Sequence, residues 1–443
     1  MPPSEGVPAT PTRPRARRIV LTTIGSLGDL HPYIAIALGL KARGHEAVLA
    51  TGECYRKKVE ALGLGFHPIR PDSDFVSDPV AMRRIMDFRL GSIYILRKTI
   101  LPAVRQSYED TLAAVDAGAD LLVSHPLTFA TRLVSEARCI PWASTAVTPL
   151  VFGSAYDPPA LPGIPDLSPH FRFLGPWFWV PLRRILTRAT RVWAGPLDRL
   201  RAEIGLPPAP DNPLVDGHSP SLVLTLFSRR LADQQPDWPA QTIHTGFPFY
   251  DRDGGAGLTP ELARFLDDGP PPIAFTLGVT AATVAGPFFE HSIAAAQRLG
   301  RRAVLIVGEG GRGRPPSLPE GVAAFDYAPF SELFPRAAAV VHAGGIGTTG
   351  LAMRSGRPML VVPHAHDQPD NAQRLARLGI ARVLWPRRYA PARVAAELRR
   401  LLDDPSYSRR AAEVAEEVRR EDGVKAACDA LEAMLRGARR GGR

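Results

Sequence analysis

The sequence predicts an α/β protein of two domains, each built on a parallel sheet. The chain has 443 residues, about two to three times the usual size of one domain. Short apolar runs of strand length alternate with helical patterns in both halves, as in parallel sheets covered by helices. A polar, glycine-rich stretch at residues 251–260 separates the halves and is the predicted linker.

The first domain is expected at residues 18–250. Residues 19–24 are an apolar run that predicts a buried strand, and a glycine loop at residues 25–30 follows it. Pro32 suits the first turn of the next helix and Gly44 suits its end. Further strands are predicted at residues 47–51, 121–124, 143–147 and 222–227.

The second domain, expected at residues 261–405, repeats the pattern. Strands are predicted at residues 273–277, 303–307, 338–342 and 359–363, each followed by a loop and a helical stretch. Residues 406–436 are rich in Ala, Glu and Arg, with apolar residues at helical spacing. This spacing predicts one or two amphipathic helices at the end of the chain.

The distribution of charge argues against a nucleic-acid partner. The formal net charge is +10, but residues 1–18 and 436–443 together carry eight arginines and one acidic residue. We therefore expect residues 1–17 to be a disordered basic tail that could contact an anionic membrane. The three cysteines are far apart, and no apolar run suits a signal peptide or a membrane span. These features predict a cytoplasmic protein, with any membrane contact peripheral and at the inner face.

The most informative motif is His342-Ala-Gly-Gly-Ile-Gly-Thr348, which follows a predicted strand. Its glycines let a ligand approach the backbone, and the helix opened by Thr348 presents free N–H groups and a positive end. The motif thus predicts a diphosphate site to which His342 adds a donor. Asp367 and Gln368 follow the next strand and can hydrogen-bond sugar hydroxyls. Alternatively, the glycines only form a turn and Asp367 caps a helix.

These stretches resemble the donor-binding signature of family 1 glycosyltransferases with the GT-B fold. The resemblance is strongest to the bacterial branch that contains the rhamnosyltransferases of rhamnolipid synthesis and the sterol glucosyltransferases. It covers most of the chain from residue 18 to about residue 390. The other matching parts are the first glycine loop, Asn371 and residues 43–45, 219–228, 235–239, 245–247 and 327–335.

The resemblance implies that two Rossmann-like domains face one another across a cleft. It also implies that the second domain binds a sugar nucleotide and that the C-terminal helices return to the first domain. His342 and the glycine loop would hold the diphosphate, and Asp367 and Gln368 the donor sugar. Thr280 is included because Val279 replaces a Ser or Thr common in related sequences. The complete set of expected donor-binding residues is Gly28, Gly278, Thr280, His342, Gly344, Gly345, Gly347, Thr348, Asp367 and Gln368.

In the first glycine loop, Asp29 matches the general base of the family, and His31 is the second candidate for this role. The spacing alone fits a helix cap or an ion-pair partner at Asp29 equally well. The helix after Gly347 can stabilise a leaving diphosphate without a metal ion. We therefore expect neither a metal nor another cofactor.

The acceptor site is expected in the first domain. His125 follows the predicted strand at residues 121–124, at the sheet edge where Asp29 lies. Residues 171–193 are the most aromatic part of the chain. Trp177 and Trp179 in this segment predict an apolar acceptor mouth, unless the segment faces a membrane or packs beneath a long loop.

Together these features predict an inverting glycosyltransferase, either a monomer or a homodimer. It would move a hexose from a UDP- or dTDP-sugar, with UDP-glucose favoured, to a hydroxyl of a lipophilic natural product, sterol or lipid. A nucleotide-sugar epimerase of the same fold and a catalytically silent sugar-nucleotide sensor remain alternatives. An NAD(P)-dependent oxidoreductase is a further rival, but Gly25-Ser-Leu-Gly28 lacks the GxGxxG spacing of such enzymes.

Overall fold

The computed structural model describes residues 16–72, 79–161, 164, 167–250, 257–278, 281, 285–308 and 314–438. Most of the predicted tail, residues 251–256 of the predicted linker, and Thr280 lie outside the described residues. The described chain forms two α/β domains, each with one parallel sheet, which confirms the predicted fold class. The sequence predicts a tail to residue 17, but Arg17 already pairs with Asp120 at the start of a strand.

Within the described residues, the sheet of the first domain has seven strands in the order β3-β2-β1-β4-β5-β6-β7. All neighbouring pairs are parallel. The bounds are β1 Arg18–Thr22, β2 Glu46–Thr51, β3 Gly65–Pro68, β4 Leu121–Ser124, β5 Trp142–Ala146, β6 Val223–Thr225 and β7 Thr242–His244.

The first domain also contains helices, several of which bury apolar side chains against the two faces of this sheet. Their bounds are α1 Leu27–Ala42, α2 Arg56–Ala61, α3 Pro79–Ile85, α4 Gly91–Ile95, α5 Val104–Asp116, α6 Phe129–Arg138, α7 Gly175–Arg191 and α8 Gly195–Glu203. Among the described residues, no helix is long and apolar enough to cross a bilayer.

The described sheet of the second domain has six parallel strands in the order β10-β9-β8-β11-β12-β13. The strands are β8 Ile273–Thr276, β9 Ala303–Ile306, β10 Val322–Phe325, β11 Ala339–His342, β12 Met359–Val361 and β13 Ala381–Val383. The helices are α9 Pro260–Asp267, α10 Phe288–Arg298, α11 Phe330–Leu333, α12 Ile346–Ser355, α13 Gln368–Arg377, α14 Pro391–Asp403, α15 Pro405–Arg420 and α16 Gly423–Ala438.

Both sheets reverse their strand order at one place, between β1 and β4 in the first domain and between β8 and β11 in the second. At such a switch point the loops leave in opposite directions and open a crevice at the carboxyl ends of the strands, where ligands bind. The two predicted glycine loops follow β1 and β11, so the fold places both at these crevices.

The last helix of the chain packs on the first domain. Cys428 and Leu431 of α16 are fully buried in the same apolar cluster as Leu40 of α1. Arg43, at the end of α1, also pairs with Asp429 and Glu432. The chain therefore crosses between the domains a second time, just before Gly423.

A buried ion cluster joins the two domains. Arg374 of α13 is 2% exposed and pairs with Asp370 on its own helix and with Asp157 of the first domain. Asp370 Oδ1 also accepts a hydrogen bond from the backbone N–H of Ala160 at 3.1 Å. Because α13 begins at Gln368, this cluster fixes the predicted sugar-binding residues relative to the first domain.

Candidate active site

The first glycine loop holds Asp29 in one orientation. Ser26 is the N-cap of α1, and its backbone N–H and Oγ lie 2.8 and 3.1 Å from Asp29 Oδ2, which completes a capping box. Gly25 has φ of 135°, and a Cβ there would collide with the Asp29 carboxylate. Asp29 therefore takes part in a helix cap, which was the alternative interpretation of the sequence. The cap uses only Oδ2 of Asp29, so Oδ1 can contact another group.

His125, after β4, lies beside Oδ1 of Asp29. Its Nδ1 accepts the N–H of Leu127 at 3.1 Å, so the neutral ring carries its proton on Nε2. This Nε2 is 3.4 Å from Asp29 Oδ1, a distance of electrostatic attraction rather than of a short hydrogen bond. Burial raises the pKa of Asp29, but His125 and the bonds from Ser26 outweigh it and hold that pKa below its ordinary value.

His31, the second candidate base, lies two residues after Asp29 on α1. Its ring packs edge-on against Tyr250, with the ring centroids 5.2 Å apart. Asp29 has a partner in His125, which the sequence assigned to the acceptor pocket alone.

The second glycine loop presents His342 at the end of β11. The residue is fully buried, and its Nδ1 accepts the N–H of Gly344 at 3.1 Å. The proton is therefore on Nε2, which has no hydrogen-bond partner among the described residues. Burial lowers the pKa of His342 to about 3, so the ring stays neutral. A buried N–H without a partner is costly, which marks it as a donor for a ligand.

The backbone around His342 is shaped for close approach. Gly344 has φ of 90°, and a Cβ there would lie 3.2 Å from the carbonyl oxygen of Gln368. Gly345 is the N-cap of α12, so Gly347 and Thr348 lie in its first turn with the free N–H groups. This end of α12 combines the positive end of a helix with the His342 N–H.

The two glycine loops meet across the cleft. A Cβ built on Gly347 would lie 4.0 Å from the Cα of Gly28, so the starts of α1 and α12 face one another. Gly278, which follows β8 with φ of 71°, is also close, since a Cβ there would lie 3.8 Å from Thr348 Oγ1. The structure therefore brings the expected donor-binding residues of both domains to one gap.

Asp367 lies after β12 at the edge of the same gap. Its Oδ2 accepts Nδ2 of Asn371 at 2.8 Å. Burial and then the negative charge of Asp29 raise the pKa of Asp367 to about 7. Neighbouring Gln368 is 7% exposed and uses Oε1 to accept the N–H of His364 at 2.8 Å. A sugar hydroxyl could therefore be bound by the Asp367 carboxyl and the Gln368 amide nitrogen.

Two further side chains support this edge, although neither was predicted to do so. Asn371 donates to the carbonyl of Gly344 at 2.9 Å and accepts from Thr148 of the first domain at 3.2 Å. His366, with φ of 59°, has its Nδ1 3.1 Å from Ser92 Oγ of α4. Asn371 was visible only as part of the family resemblance, and no sequence signal connects Ser92 to His366.

A cavity of about 420 Å³ opens in the first domain beside His125. Its wall is mostly apolar and includes Trp179, Leu182 and Leu186 of α7. Trp177 does not line it, because residues two apart on a helix point in nearly opposite directions, and its ring is 75% exposed. Trp177 and Trp179, both expected to bind the acceptor, therefore lie on different sides of α7, and of the two only Trp179 lines the cavity. No group of three or more His, Cys, Asp or Glu in the described chain could hold a metal ion.

Comparisons with known proteins agree with this geometry. Residues 19–147 match the glycosyltransferase family 28 N-terminal domain, and residues 290–434 match the erythromycin biosynthesis protein CIII-like C-terminal domain. The O-mycaminosyltylonolide 6-deoxyallosyltransferase of Streptomyces fradiae is 35% identical over 94% of this chain and 97% of its own. A sterol 3-beta-glucosyltransferase of Arabidopsis thaliana is 26% identical over 82% of this chain and 57% of its own.

Solved structures share the fold. The glycosyltransferase VinC, solved in complex with dTDP, superposes with a TM-score of 0.66 at 21% identity, covering 95% of this chain and 100% of its own. This superposition covers both domains, and so does the sequence alignment with the Streptomyces fradiae relative. The chain belongs to the nucleotide-sugar-dependent glycosyltransferases of the GT-B fold, in the family of the macrolide, glycopeptide and sterol glycosyltransferases.

Proposed function

We propose that the protein transfers a 6-deoxyhexose from dTDP to a hydroxyl of a lipophilic natural product, with inversion and with Asp29 as general base. One observation carries the proposal. The His342 N–H, which has no hydrogen-bond partner in the described part of the chain, and the carboxylate of Asp29 lie on two glycine loops that meet across the cleft. A donor diphosphate and an acceptor hydroxyl can thus be held on opposite sides of one reacting carbon.

The diphosphate would lie at the start of α12. The free N–H groups of that turn and the His342 Nε2 would bind its oxygens and stabilise the charge that grows as it leaves. These donors would supply the stabilisation without a metal ion. That the reaction needs no metal stays a prediction, and a chelator tests it. Asp367 and Gln368 would hold the hydroxyls of the donor sugar.

The reaction would be a single displacement. The acceptor oxygen forms a bond to the anomeric carbon, the bond from that carbon to the phosphate oxygen breaks, and the hydroxyl proton passes to Asp29 Oδ1. The nucleoside diphosphate leaves with the bonding electrons, and the anomeric configuration inverts. The His125 N–H would keep Asp29 oriented and ionised until the proton arrives.

The identities of the substrates rest on the site and on the relatives. The mostly apolar cavity beside His125 suits a lipophilic acceptor, whereas an epimerase would need no such space. The name of the Streptomyces fradiae relative specifies a 6-deoxyallosyl group and a tylonolide glycoside, which supports a deoxyhexose donor and a macrolide-type acceptor. UDP-glucose, which the sequence alone favours, is the competing donor.

The experiment measures turnover with dTDP-6-deoxyhexoses and UDP-glucose against macrolide acceptors, in the presence of EDTA. Asp29→Asn keeps the shape of the cap and is expected to lower kcat by about 10²–10⁴-fold, because it removes the general base. His125→Gln is expected to lower kcat less. Nucleotide affinity should stay within about twofold for both, since neither residue is proposed to touch the diphosphate.

Asp233→Asn, on an exposed loop of the same domain, is the matched control and should leave kcat unchanged. An unimpaired Asp29→Asn enzyme would remove Asp29 from the role of base. NMR of the product tests inversion directly, and retention of the donor configuration would exclude a single displacement. Loss of turnover in EDTA, restored by a divalent cation, would overturn the metal-free site.

A further inference from the structure

Large apolar side chains are exposed to solvent along one side of α7. Phe173 and Val192, which flank the helix, are 82% and 75% exposed, and Trp177 and Ile185 are 75% and 61% exposed. At about 100° of rotation per residue, Trp177, Arg184, Ile185 and Arg188 share an arc of about 100°. We define the outer face of α7 as Phe173, Trp177, Arg184, Ile185, Arg188 and Val192.

The outer face is positively charged without compensation. Residues 167–197 contain five arginines and no acidic residue. Three of these arginines are neutralised by ion pairs with aspartates elsewhere in the first domain. Arg184 and Arg188 are exposed and have no ion-pair partner among the residues that the structure describes.

The same charge continues past the end of the helix. Val192 also lines a neighbouring surface groove, together with Arg97, Arg105 and Arg199. Arg105 pairs with Glu203, and Arg97 lies over the ring of Trp193, 5.3 Å from its centroid. Arginines and aromatic rings therefore occur together on the outer face of α7 and in the neighbouring groove.

We propose that the outer face of α7 docks the protein on an anionic lipid surface. Tryptophan, phenylalanine and aliphatic side chains enter the boundary between headgroups and acyl chains, and arginines beside them bind lipid phosphates. A second copy of the chain fits the face poorly, because a two-fold contact would bring Arg184 and Arg188 against their own copies. An anionic membrane instead neutralises these charges.

Docking in this way would bring lipid close to the acceptor cavity. Trp179, Leu182 and Leu186 line the cavity from the opposite side of α7, so one helix, about 10 Å across, separates the cavity from the docked surface. This consequence rests on the proposed lipophilic acceptor, which would partition into the membrane. The docking itself does not depend on the identity of the acceptor.

The experiment is sedimentation of the full chain with vesicles of phosphatidylcholine alone or mixed with phosphatidylglycerol. We expect at least tenfold tighter partitioning to the anionic vesicles and a loss of binding in high salt. Trp177→Ser, and separately Arg184→Gln with Arg188→Gln, should each weaken binding about tenfold or more. The matched control is Arg393→Gln with Arg399→Gln on exposed positions of α14, which should bind like the wild type.

Turnover of a soluble acceptor without lipid should stay unchanged in every variant, which shows that each one is folded. The proposal is overturned if anionic vesicles do not bind the protein, or if the outer-face variants bind as tightly as the control, since the chain termini would then supply the attraction. It is also overturned if Trp177→Ser converts a dimer to a monomer in analytical ultracentrifugation, because the outer face would then be covered by a second copy.

Discussion

The carboxyl of Asp367 allows a test of the donor site by pH alone. Its pKa is raised to about 7 by burial and by the charge of Asp29. An ionised carboxylate accepts hydrogen bonds from sugar hydroxyls better than a carboxylic acid does. Donor affinity should therefore rise as the pH increases through 7. The ionised fraction grows from about one tenth at pH 6 to about nine tenths at pH 8, so the dissociation constant should fall by up to about tenfold.

The measurement is calorimetric titration of the donor sugar nucleotide over this pH range. His342 adds no pH dependence there, because its pKa of about 3 keeps it neutral throughout. Asp367→Asn should give a flat profile, since the titrating group is gone. Asp29→Asn should move the midpoint to lower pH, because one of the causes that raise the Asp367 pKa is removed. A flat wild-type profile, or a midpoint that survives in Asp367→Asn, would refute the assignment of Asp367 to the donor sugar.

Three other tests use different measurements. His342→Ala should weaken dTDP or UDP binding about 10–100-fold, because a hydrogen bond to a charged group contributes about 1.5–3 kcal/mol, and unchanged affinity would contradict the diphosphate site. Trp179→Ala should raise the acceptor KM about tenfold at saturating donor, because Trp179 lines the cavity. Trp177→Ala should leave this KM within about twofold. Equal effects of the two variants would contradict the position of the cavity. Arg374→Met leaves buried carboxylates without their cation. It should therefore lower the free energy of unfolding, measured in urea, by about 3 kcal/mol. A loss below about 1 kcal/mol would contradict a buried ion cluster.

The central strands of both sheets could be predicted from sequence, and the edge strands could not. Strands such as β1 and β11 are buried on both faces and appear as continuous apolar runs. The four strands without a prediction are β3, β7, β10 and β13, the edges of the two sheets. Three of these strands, β3, β7 and β13, are only partly buried, so they carry no continuous apolar run. The βα pattern predicted parallel sheets, but neither the order of the strands nor the width of each sheet.

Each loop of the site could be predicted from the sequence, but the contacts between the loops could not. Asp29 and the His342 loop each follow an apolar strand, so their places at the switch points follow from the fold. The contact between Asp29 and His125 depends on how two distant strands lie side by side, which sequence spacing does not encode. The two tryptophans were grouped because α7 was not recognised as a helix, although Pro176 at its start is a common helix signal.

The environment of Asp29 makes it a weak base, and this is compatible with the proposed chemistry. Its lowered pKa means that the carboxylate has little affinity for the proton of an unreacted hydroxyl. As the sugar–diphosphate bond breaks, however, the anomeric carbon becomes electron-poor, and the hydroxyl becomes strongly acidic once its oxygen begins to bond there. A base in this reaction therefore needs correct position more than strength. Ser26 fixes one oxygen of Asp29 and His125 lies beside the other, so the interactions that lower the pKa are the ones that hold the carboxylate in place. On this argument, removing His125 would make Asp29 more basic and the enzyme slower.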